Sequence, residues 1–289
     1  MSVPPAGTGA METERVAQPL SPRNRAVHRL RDLSKSASAR KEHGLFVAEG
    51  WKLVELALYS PVAVTGLYFH ENAVEDPDAL RLTGMAAARS IPVSVLSEAA
   101  WKRVSDTMTP QPVLALVSRP ESSMTTLDGA TFSIVCVDVR DPGNMGSVVR
   151  VAMAAGAGAV VATPGCADPY STKAVRSSAG SVFGMPVVEA DTMEVMERFQ
   201  RDGTAVVGTT VTGGISYTEY PFEDPFALVL GNEGSGLPGN IARHMDAMVT
   251  VPLANEVESL NVATACAVLC FEAVRQRGVR SSGVRSSGN

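Results

Sequence analysis

The sequence has few of the residues that build disulfide frameworks, metal sites and membrane spans. It has only four cysteines, which form no CxxC pair: Cys136, Cys166, Cys266 and Cys270. Its four histidines are scattered in polar surroundings, so we expect a reduced protein without a metal site. The longest apolar stretches are interrupted by Arg150 or Glu272 before they reach membrane-spanning length, and the first 15 residues have no apolar core typical of a signal peptide. A cytoplasmic protein with no membrane partner is expected.

Complete nucleotide-binding signatures are also missing. GAGAVV at 156–161 resembles part of a dinucleotide fingerprint, but it follows a predicted helix and precedes a predicted strand, which is the reverse of the required order. We predict instead that Gly156 ends a helix and that Gly158 makes a tight turn. GNEGSGLP at 231–238 follows an apolar strand but lacks the GK[ST] ending of a phosphate-binding loop. Because Glu233 would repel phosphate, this loop suits a ligand with hydroxyls, an amine or a positive charge.

Acidic residues slightly outnumber basic ones overall, but basic residues are concentrated in one stretch. The net charge is −5 with a pI near 5.5, so the whole-protein field does not indicate a polyanionic partner. Between residues 23 and 41, however, Asp32 is the only acidic residue and the basic residues are Arg23, Arg25, Arg29, Arg31, Lys35, Arg40 and Lys41. Charge alone favours a solvated helix face, and a phosphate-contacting surface is the alternative.

Strands and helices alternate along most of the chain, which predicts an α/β protein. Residues 1–20 are rich in Pro, Gly and small polar residues, and residues 279–289 repeat VRSSG with nothing that could be buried, so we expect both to be disordered tails. Residues 21–118 predict a small α/β domain, and 119–130 has the Pro, Ser and Gly content of a linker. In residues 131–278 the predicted strands are continuous Val, Ile and Leu runs, which is typical of a mostly parallel sheet covered by helices on both faces.

Polar residues follow three of the predicted strands in this second domain. Ligands of parallel sheets bind beyond the carboxyl ends of the strands, so we expect these side chains to converge on one site. The residues are Asn144 and Arg150 after the first strand, Glu233 after another, and Ser259 and Asn261 at the start of the last helix. Taken alone, a helix-capping role would be a sufficient explanation for Ser259.

Three segments resemble the signature motifs of a known family. NMGSVVR, LVLGNEGSGL and VPLANEVESLNVATA resemble, in order and spacing, those of the SpoU/TrmH RNA ribose 2′-O-methyltransferases of the SPOUT superfamily. RKEHGLFVAEGWKLVELAL is similar to the start of the ribosomal-protein-like substrate-binding domain that many members carry. The resemblance covers roughly residues 22–278. Departures are few: Asn255 stands where glycine is common, Ala263 stands where serine is common, and the last motif begins VPL rather than IPM.

The resemblance implies a fold, a cofactor and an oligomeric state. The segment from about Ala227 to Cys266 would thread into a trefoil knot that holds S-adenosylmethionine in a bent form, without a metal. The knot and the last helix would form the interface of a homodimer. The implied cofactor-binding residues are Thr209, Gly231, Val251, Leu253 and Leu260.

The resemblance also implies a chemistry for the polar set. Asn144, Arg150, Glu233, Ser259 and Asn261 occupy positions that the family uses for catalysis and for shaping the site. We expect Gly146 to permit a close turn and Asn144 to fix the loop around it. A guanidinium stays protonated at neutral pH, so we expect Arg150 to stabilise the developing 2′-alkoxide rather than act as a simple general base.

The implied substrate is RNA, with ribosomal RNA favoured because of the accessory domain. The expected phosphate contacts are Arg23, Arg25, Arg29 and Arg31. One alternative is a transfer-RNA methyltransferase of the same fold. Another is a non-catalytic RNA-binding or assembly factor, although such a factor would have no use for the full polar set.

Overall fold

The computed structural model describes residues 18–105, 110–222, 225–255 and 257–278. Most of the two predicted disordered tails lies outside these ranges. Residues 18–20 lie inside them, and there the prediction of a tail is wrong. The Leu20 amide donates to the Val95 carbonyl at 2.7 Å, and the Ser97 amide donates to the Leu20 carbonyl at 3.2 Å. These bonds hold Leu20 against the edge of a sheet.

In the part of the chain that the structure describes, the first unit is a four-stranded sheet with five α-helices. The strand order is β1-β4-β2-β3; β4 is antiparallel to both of its neighbours, and β2 and β3 are parallel. The elements are α1 (Arg25–Lys35), α2 (Ala37–His43), β1 (Leu45–Glu49), α3 (Trp51–Tyr59), β2 (Val64–His70), α4 (Pro77–Ala87), β3 (Val93–Leu96), α5 (Glu98–Val104) and β4 (Val113–Ser118).

The second unit contains a sheet of seven parallel strands. The order is β7-β6-β5-β10-β8-β11-β9, and every neighbouring pair is parallel, so the prediction of a mostly parallel sheet is confirmed. The elements are β5 (Phe132–Cys136), α6 (Pro142–Ala155), β6 (Ala159–Ala162), α7 (Thr172–Ser177), β7 (Val187–Glu189), α8 (Thr192–Asp202), β8 (Ala205–Thr209), β9 (Ile215–Ser216), β10 (Phe226–Leu230), α9 (Gly239–Ala242), β11 (Ala247–Thr250) and α10 (Val262–Gln276).

The segment 119–130, which its composition suggests is a linker, contains packed structure. A 3-10 turn spans Met124–Leu127, and the Leu127 side chain is buried. Arg119 forms an ion pair with Glu189, and its guanidinium lies 4.6 Å from the centroid of the Tyr170 ring. The segment therefore helps to join the two units.

A buried ion pair crosses between the two units. The Arg40 side chain is only 4% exposed, and its Nε lies 2.6 Å from Asp168 Oδ2. Its Nη1 donates to the Leu33 carbonyl at 2.6 Å. Nearby, the Phe46 and Tyr170 ring centroids are 5.1 Å apart, and burial raises the pKa of Tyr170 to about 12. Arg40 is therefore not part of a solvated helix face or of an RNA-binding surface, because its guanidinium is buried in an ion pair between the units.

Helix α6 corrects the expected role of Gly146. Asp141 caps this helix, so Asn144, Gly146 and Arg150 all lie in regular helix rather than in a turn. A Cβ at Gly146 would lie 2.2 Å from the Ala174 carbonyl oxygen. The glycine is therefore required for the close approach of α7. Gly156 does end α6 in the left-handed conformation, with φ of 76°, as predicted.

The described ranges contain no helix that is both long and apolar enough to span a membrane.

Candidate active site

A cavity of about 530 Å³ opens at the carboxyl edge of the seven-stranded sheet. It lies among the loops that follow β8, β10 and β11 and the first turns of α10. Each residue predicted to bind the cofactor lines this cavity: Thr209, Gly231, Val251, Leu253 and Leu260. Glu233 and Ser259 line it as well.

The lining of the cavity combines aliphatic side chains, small polar side chains and acidic groups. Leu230, Leu237 and Leu269 contribute aliphatic surface, and the charged lining residues are Glu233 and Glu258. Among the described residues, no lysine, arginine or histidine lines the cavity. Such a pocket suits a ligand with apolar rings and a positive charge, and it does not suit a polyphosphate.

The loop after β10 is held close to itself by Gly231 and Asn232. A Cβ at Gly231 would lie 2.4 Å from the Gly236 carbonyl carbon, so only glycine fits there. Asn232 Oδ1 accepts hydrogen bonds from the amides of Gly234 at 2.9 Å and Ser235 at 3.3 Å. Its Nδ2 donates to the Asp138 carbonyl at 3.0 Å, which ties the loop to the end of β5.

Asn232 was not among the predicted site residues. The available signal was an asparagine two residues before a glycine, a spacing at which the side chain often bonds its own backbone and shapes the turn.

Three of the predicted polar residues form one hydrogen-bonded chain. Asn144 Nδ2 donates to Glu233 Oε1, and Asn261 Nδ2 donates to Asn144 Oδ1 at 2.9 Å. Residues 117 positions apart in sequence are thus in direct contact. The expected convergence of the three strand-end loops is present in the structure.

Asn261, and not Ser259, caps helix α10. Asn261 Oδ1 accepts hydrogen bonds from the amides of Ala263 at 3.0 Å and Thr264 at 3.2 Å. The Asn261 side chain therefore caps α10 through Oδ1 and donates a hydrogen bond to Asn144 through Nδ2. The capping explanation considered for Ser259 is wrong, because that residue lies two positions before the cap and lines the cavity.

Within one chain, Arg150 lies apart from the other predicted polar residues. It is exposed on α6 and is not among the lining residues. It follows Asn144 by six helical positions, which corresponds to about 9 Å along the axis and about 120° around it. Arg150 therefore lies on a different face of α6 from the hydrogen-bonded chain.

Asp141 and Lys173 support the backbone of Asn144. Asp141 Oδ1 accepts a hydrogen bond from the Asn144 amide at 3.0 Å, and Lys173 Nζ lies 2.5 Å from Asp141 Oδ2. The Lys173 ammonium is the main cause that lowers the pKa of Asp141, and the Asn144 amide is the next. Neither Asp141 nor Lys173 was predicted from the sequence as a site residue.

The cysteines offer no activated nucleophile. Burial raises the pKa of Cys136 and Cys166, and Cys266 Sγ lies 3.8 Å from Cys270 Sγ within α10. The hydrogen bond with Cys270 and burial together raise the pKa of Cys266. Cys136, Cys166 and Cys266 therefore remain protonated at neutral pH, and all four cysteines are free. Over the described ranges, His, Cys, Asp and Glu side chains form no group of three or more that could hold a metal ion.

Four arginines, called the α1 arginines below, are exposed at the first helix: Arg23, Arg25, Arg29 and Arg31. Helix α1 buries Val27, Leu30 and Leu33 and is capped by Asn24, whose Oδ1 accepts from the Ala26 amide at 2.9 Å. The cationic groups therefore project away from the core of the first unit.

The departure at Asn255 has a backbone explanation. Asn255 has a φ of 61°, which lies in the left-handed region. Glycine adopts this region most readily, and asparagine is the best-tolerated alternative. The loop that carries Ser259 can therefore keep this conformation without a glycine.

Comparison with known proteins places these features in a family. The family model described as "SpoU rRNA Methylase family" matches residues 131–271, and "MRM3-like substrate binding domain" matches residues 24–115. The 23S rRNA (guanosine(2553)-2'-O)-methyltransferase RlmP of Bacillus subtilis is 36% identical over 80% of this chain and 89% of its own length. The chain belongs to the SpoU rRNA methylase family. It is a methyltransferase that uses S-adenosylmethionine as its methyl donor.

Two solved SpoU-type structures share the overall fold. The methyltransferase AviRb of Streptomyces viridochromogenes, in complex with AdoMet, is 28% identical with a TM-score of 0.77, and the match covers 89% of this chain and 99% of AviRb. An AdoMet-bound rRNA methyltransferase from Sinorhizobium meliloti is 32% identical with a TM-score of 0.74, over 87% of this chain and 95% of that one. Both are similar to this SpoU methyltransferase across its two units.

Proposed function

We propose that this SpoU methyltransferase transfers the methyl group of S-adenosylmethionine to a ribose 2′-hydroxyl of ribosomal RNA of the 23S type. The observation that carries the proposal is the chain of hydrogen bonds from Glu233 through Asn144 to Asn261, formed beside an acidic, largely apolar cavity. Two relatives support this substrate: RlmP of Bacillus subtilis is named a 23S rRNA (guanosine(2553)-2'-O)-methyltransferase, and a relative in Streptomyces viridochromogenes is named a 23S rRNA (uridine(2479)-2'-O)-methyltransferase.

The cavity fits the cofactor in size and chemistry. Its volume of about 530 Å³ is within the range of small-molecule sites. Aliphatic side chains at Leu253 and Leu260 suit the adenine ring, and backbone groups around Gly231 suit its polar edge. The carboxylates of Glu233 and Glu258 complement the positively charged sulfonium and amino groups of S-adenosylmethionine. The bound cofactor supplies an electrophilic methyl group.

We propose that the polar residues position the ribose. Glu233, Asn144 and Asn261 hold one another in place, and Glu233 and Ser259 line the cavity. Their rigidity favours in-line attack, because aligned reactants lose less entropy at the transition state. Arg150 stabilises the charge that develops on the 2′-oxygen.

A homodimer would resolve the separation of Arg150 from this set. Met153 on α6 and Phe271 on α10 are 47% and 48% exposed, although these two helices pack against each other. Burial of this apolar face against a second copy is favourable. We propose a twofold dimer on this face, in which the Arg150 of one protomer serves the site of the other. The trefoil knot between Ala227 and Cys266 remains a proposal from family resemblance.

We propose that residues 21–118 bind RNA, that 131–278 carry out methyl transfer, and that 119–130 join them. The exposed α1 arginines support the first assignment, since guanidinium groups suit phosphates. A ribosomal RNA substrate also supports a location in the cytoplasm.

The test is methyl transfer from radiolabelled S-adenosylmethionine to separated RNA pools. We expect label in the 23S rRNA pool and, after complete nuclease digestion, in a 2′-O-methylated dinucleotide that resists cleavage. Label confined to transfer RNA would instead support the transfer-RNA enzyme. Tight RNA binding without label in any pool would support the non-catalytic factor.

A further inference from the structure

Lys173 belongs to α7, and its side chain reaches the N-terminal turn of α6, the helix that carries Asn144. Helices α6 and α7 approach closely because Gly146 has no side chain, and a Cβ at Gly143 would lie 3.3 Å from Lys173 Cε. This packing brings Lys173 Nζ to 2.5 Å from Asp141 Oδ2. Lys173 belongs to neither the cofactor cavity nor the hydrogen-bonded chain of Asn144.

A continuous path of polar contacts leads from Lys173 to the site. Asp141 Oδ2 faces the Lys173 ammonium, and Asp141 Oδ1 accepts a hydrogen bond from the Asn144 amide at 3.0 Å. The Asn144 side chain then contacts Glu233 and Asn261. The backbone of Asn144 is thus held by Asp141, while its side chain is held by two other loops.

The ammonium group has capacity for a second anion. The Lys173 side chain is 56% exposed, and an ammonium has three N–H donors, of which Asp141 uses one. Every internal ribose in RNA is flanked by two phosphates. A phosphate next to the target ribose is therefore the anion that an exposed lysine beside Asn144 is suited to meet.

We propose that Lys173 is a substrate-positioning residue that contacts the phosphodiester flanking the target ribose while its bond to Asp141 holds Asn144. This inference rests on the proposed function, because it assumes an RNA substrate. It assigns Lys173 two simultaneous partners, so that correct docking of the RNA backbone is coupled to the alignment of Asn144.

The test compares Lys173→Gln with Arg201→Gln in the full-length protein. Arg201 is a control of the same charge, since it is exposed in the last turn of α8 and lies outside residues 21–118, the cofactor cavity and the proposed dimer face. Binding of an unmodified, in vitro transcribed 23S rRNA is measured over a range of salt concentrations. The loss of one phosphate contact reduces the magnitude of the slope of log K against log[salt] by about 1, where K is the association constant for RNA. We expect that decrease for Lys173→Gln and no change for Arg201→Gln.

Three further measurements separate positioning from a structural effect. At saturating RNA, Lys173→Gln should lower the methyl-transfer rate by about tenfold, which corresponds to the loss of one oriented charged contact. Lys173→Arg should restore the salt slope. Asp141→Asn should lower the rate at an unchanged slope, because it disturbs Asn144 without removing a phosphate contact. Cofactor binding should be equal in all variants.

The proposal is overturned if Lys173→Gln keeps the wild-type salt slope, or if its rate at saturating RNA is unchanged. Failure of the proposed function has a different signature: the wild type would then methylate no ribose in the transcript. In that case the slope comparison still decides whether Lys173 contacts a phosphate.

Discussion

Replacement of Gly231 by alanine should weaken cofactor binding in a protein that still folds. An alanine Cβ at this position would lie 2.4 Å from the Gly236 carbonyl carbon and 2.6 Å from the Leu237 amide nitrogen. Both are backbone atoms, so no side chain can rotate away. To reach an ordinary separation of about 3.4 Å, the strand end and the returning loop must move apart by about 1 Å. That movement opens the wall of the cavity.

The size of the effect follows from the overpacking. Forcing a methyl group into a closed contact costs about 1–3 kcal/mol. If the cofactor requires the closed loop, a cost of about 1.4 kcal/mol weakens its binding about tenfold. The same loop carries Glu233, so its displacement also disturbs the contact with Asn144. We therefore expect methyl transfer to fall further than cofactor affinity.

The measurement is isothermal titration of the intact protein with S-adenosylmethionine. Gly234→Ala is the matched control in the same loop, because the nearest atom to its Cβ, Asn232 Oδ1, is 3.6 Å away. We expect wild-type affinity for the control and at least a tenfold loss for Gly231→Ala. The reasoning is refuted if a folded Gly231→Ala protein binds the cofactor within about twofold of the wild type, or if the control is equally impaired.

The remaining predictions concern catalysis, recognition and stability. Arg150→Ala should bind both ligands and lose about 10²-fold in methyl transfer at saturating RNA, and near-normal turnover would exclude its role at the 2′-oxygen. Replacement of the α1 arginines by glutamine should flatten the salt dependence of RNA binding at unchanged cofactor affinity, as measured by titration. Gly146→Ala should lower the thermal midpoint, whereas Gly84→Ala in α4, with no atom within 4 Å of its Cβ, should not. Arg275 holds the pKa of Glu272 at about 2, below its ordinary 4.5, so stability present at neutral pH should fall as pH decreases from about 4.5 towards about 2, and Glu272→Gln should remove that part of the pH dependence.

Hydrophobic patterning was sufficient to predict the parallel sheet, because strands buried on both faces must be apolar at nearly every position. Patterning was less informative where an element is short or depends on tertiary contacts. Strand β9 has only two residues, Ile215–Ser216, and was not predicted. The segment from Ser171 to Gly184 is divided into α7 and a 3-10 turn, because Ala179 and Gly180 both adopt positive φ, which patterning does not reveal.

For the candidate site, the positions of polar residues after strand ends were informative. Asn144, Glu233 and Asn261 are in contact because parallel strands deliver their following loops to one edge of the sheet. Lys173 was not predicted, since its relevance depends on the packing of α7 against α6. A lysine in a short helix has no sequence feature that reveals which helix terminus it reaches.

The contrast between Arg40 and the α1 arginines shows why charge in a sequence does not by itself identify a binding surface. All of them belong to one basic stretch, yet the Arg40 guanidinium is buried against Asp168, which is 128 positions away. Removal of Arg40 would leave a carboxylate that is 14% exposed without its partner, which is costly, whereas removal of an exposed arginine costs little stability. Arginine substitutions in this stretch must therefore be interpreted residue by residue. A loss of RNA binding in Arg40→Gln would report on the contact between the two units, and only the exposed positions can report on the phosphate backbone.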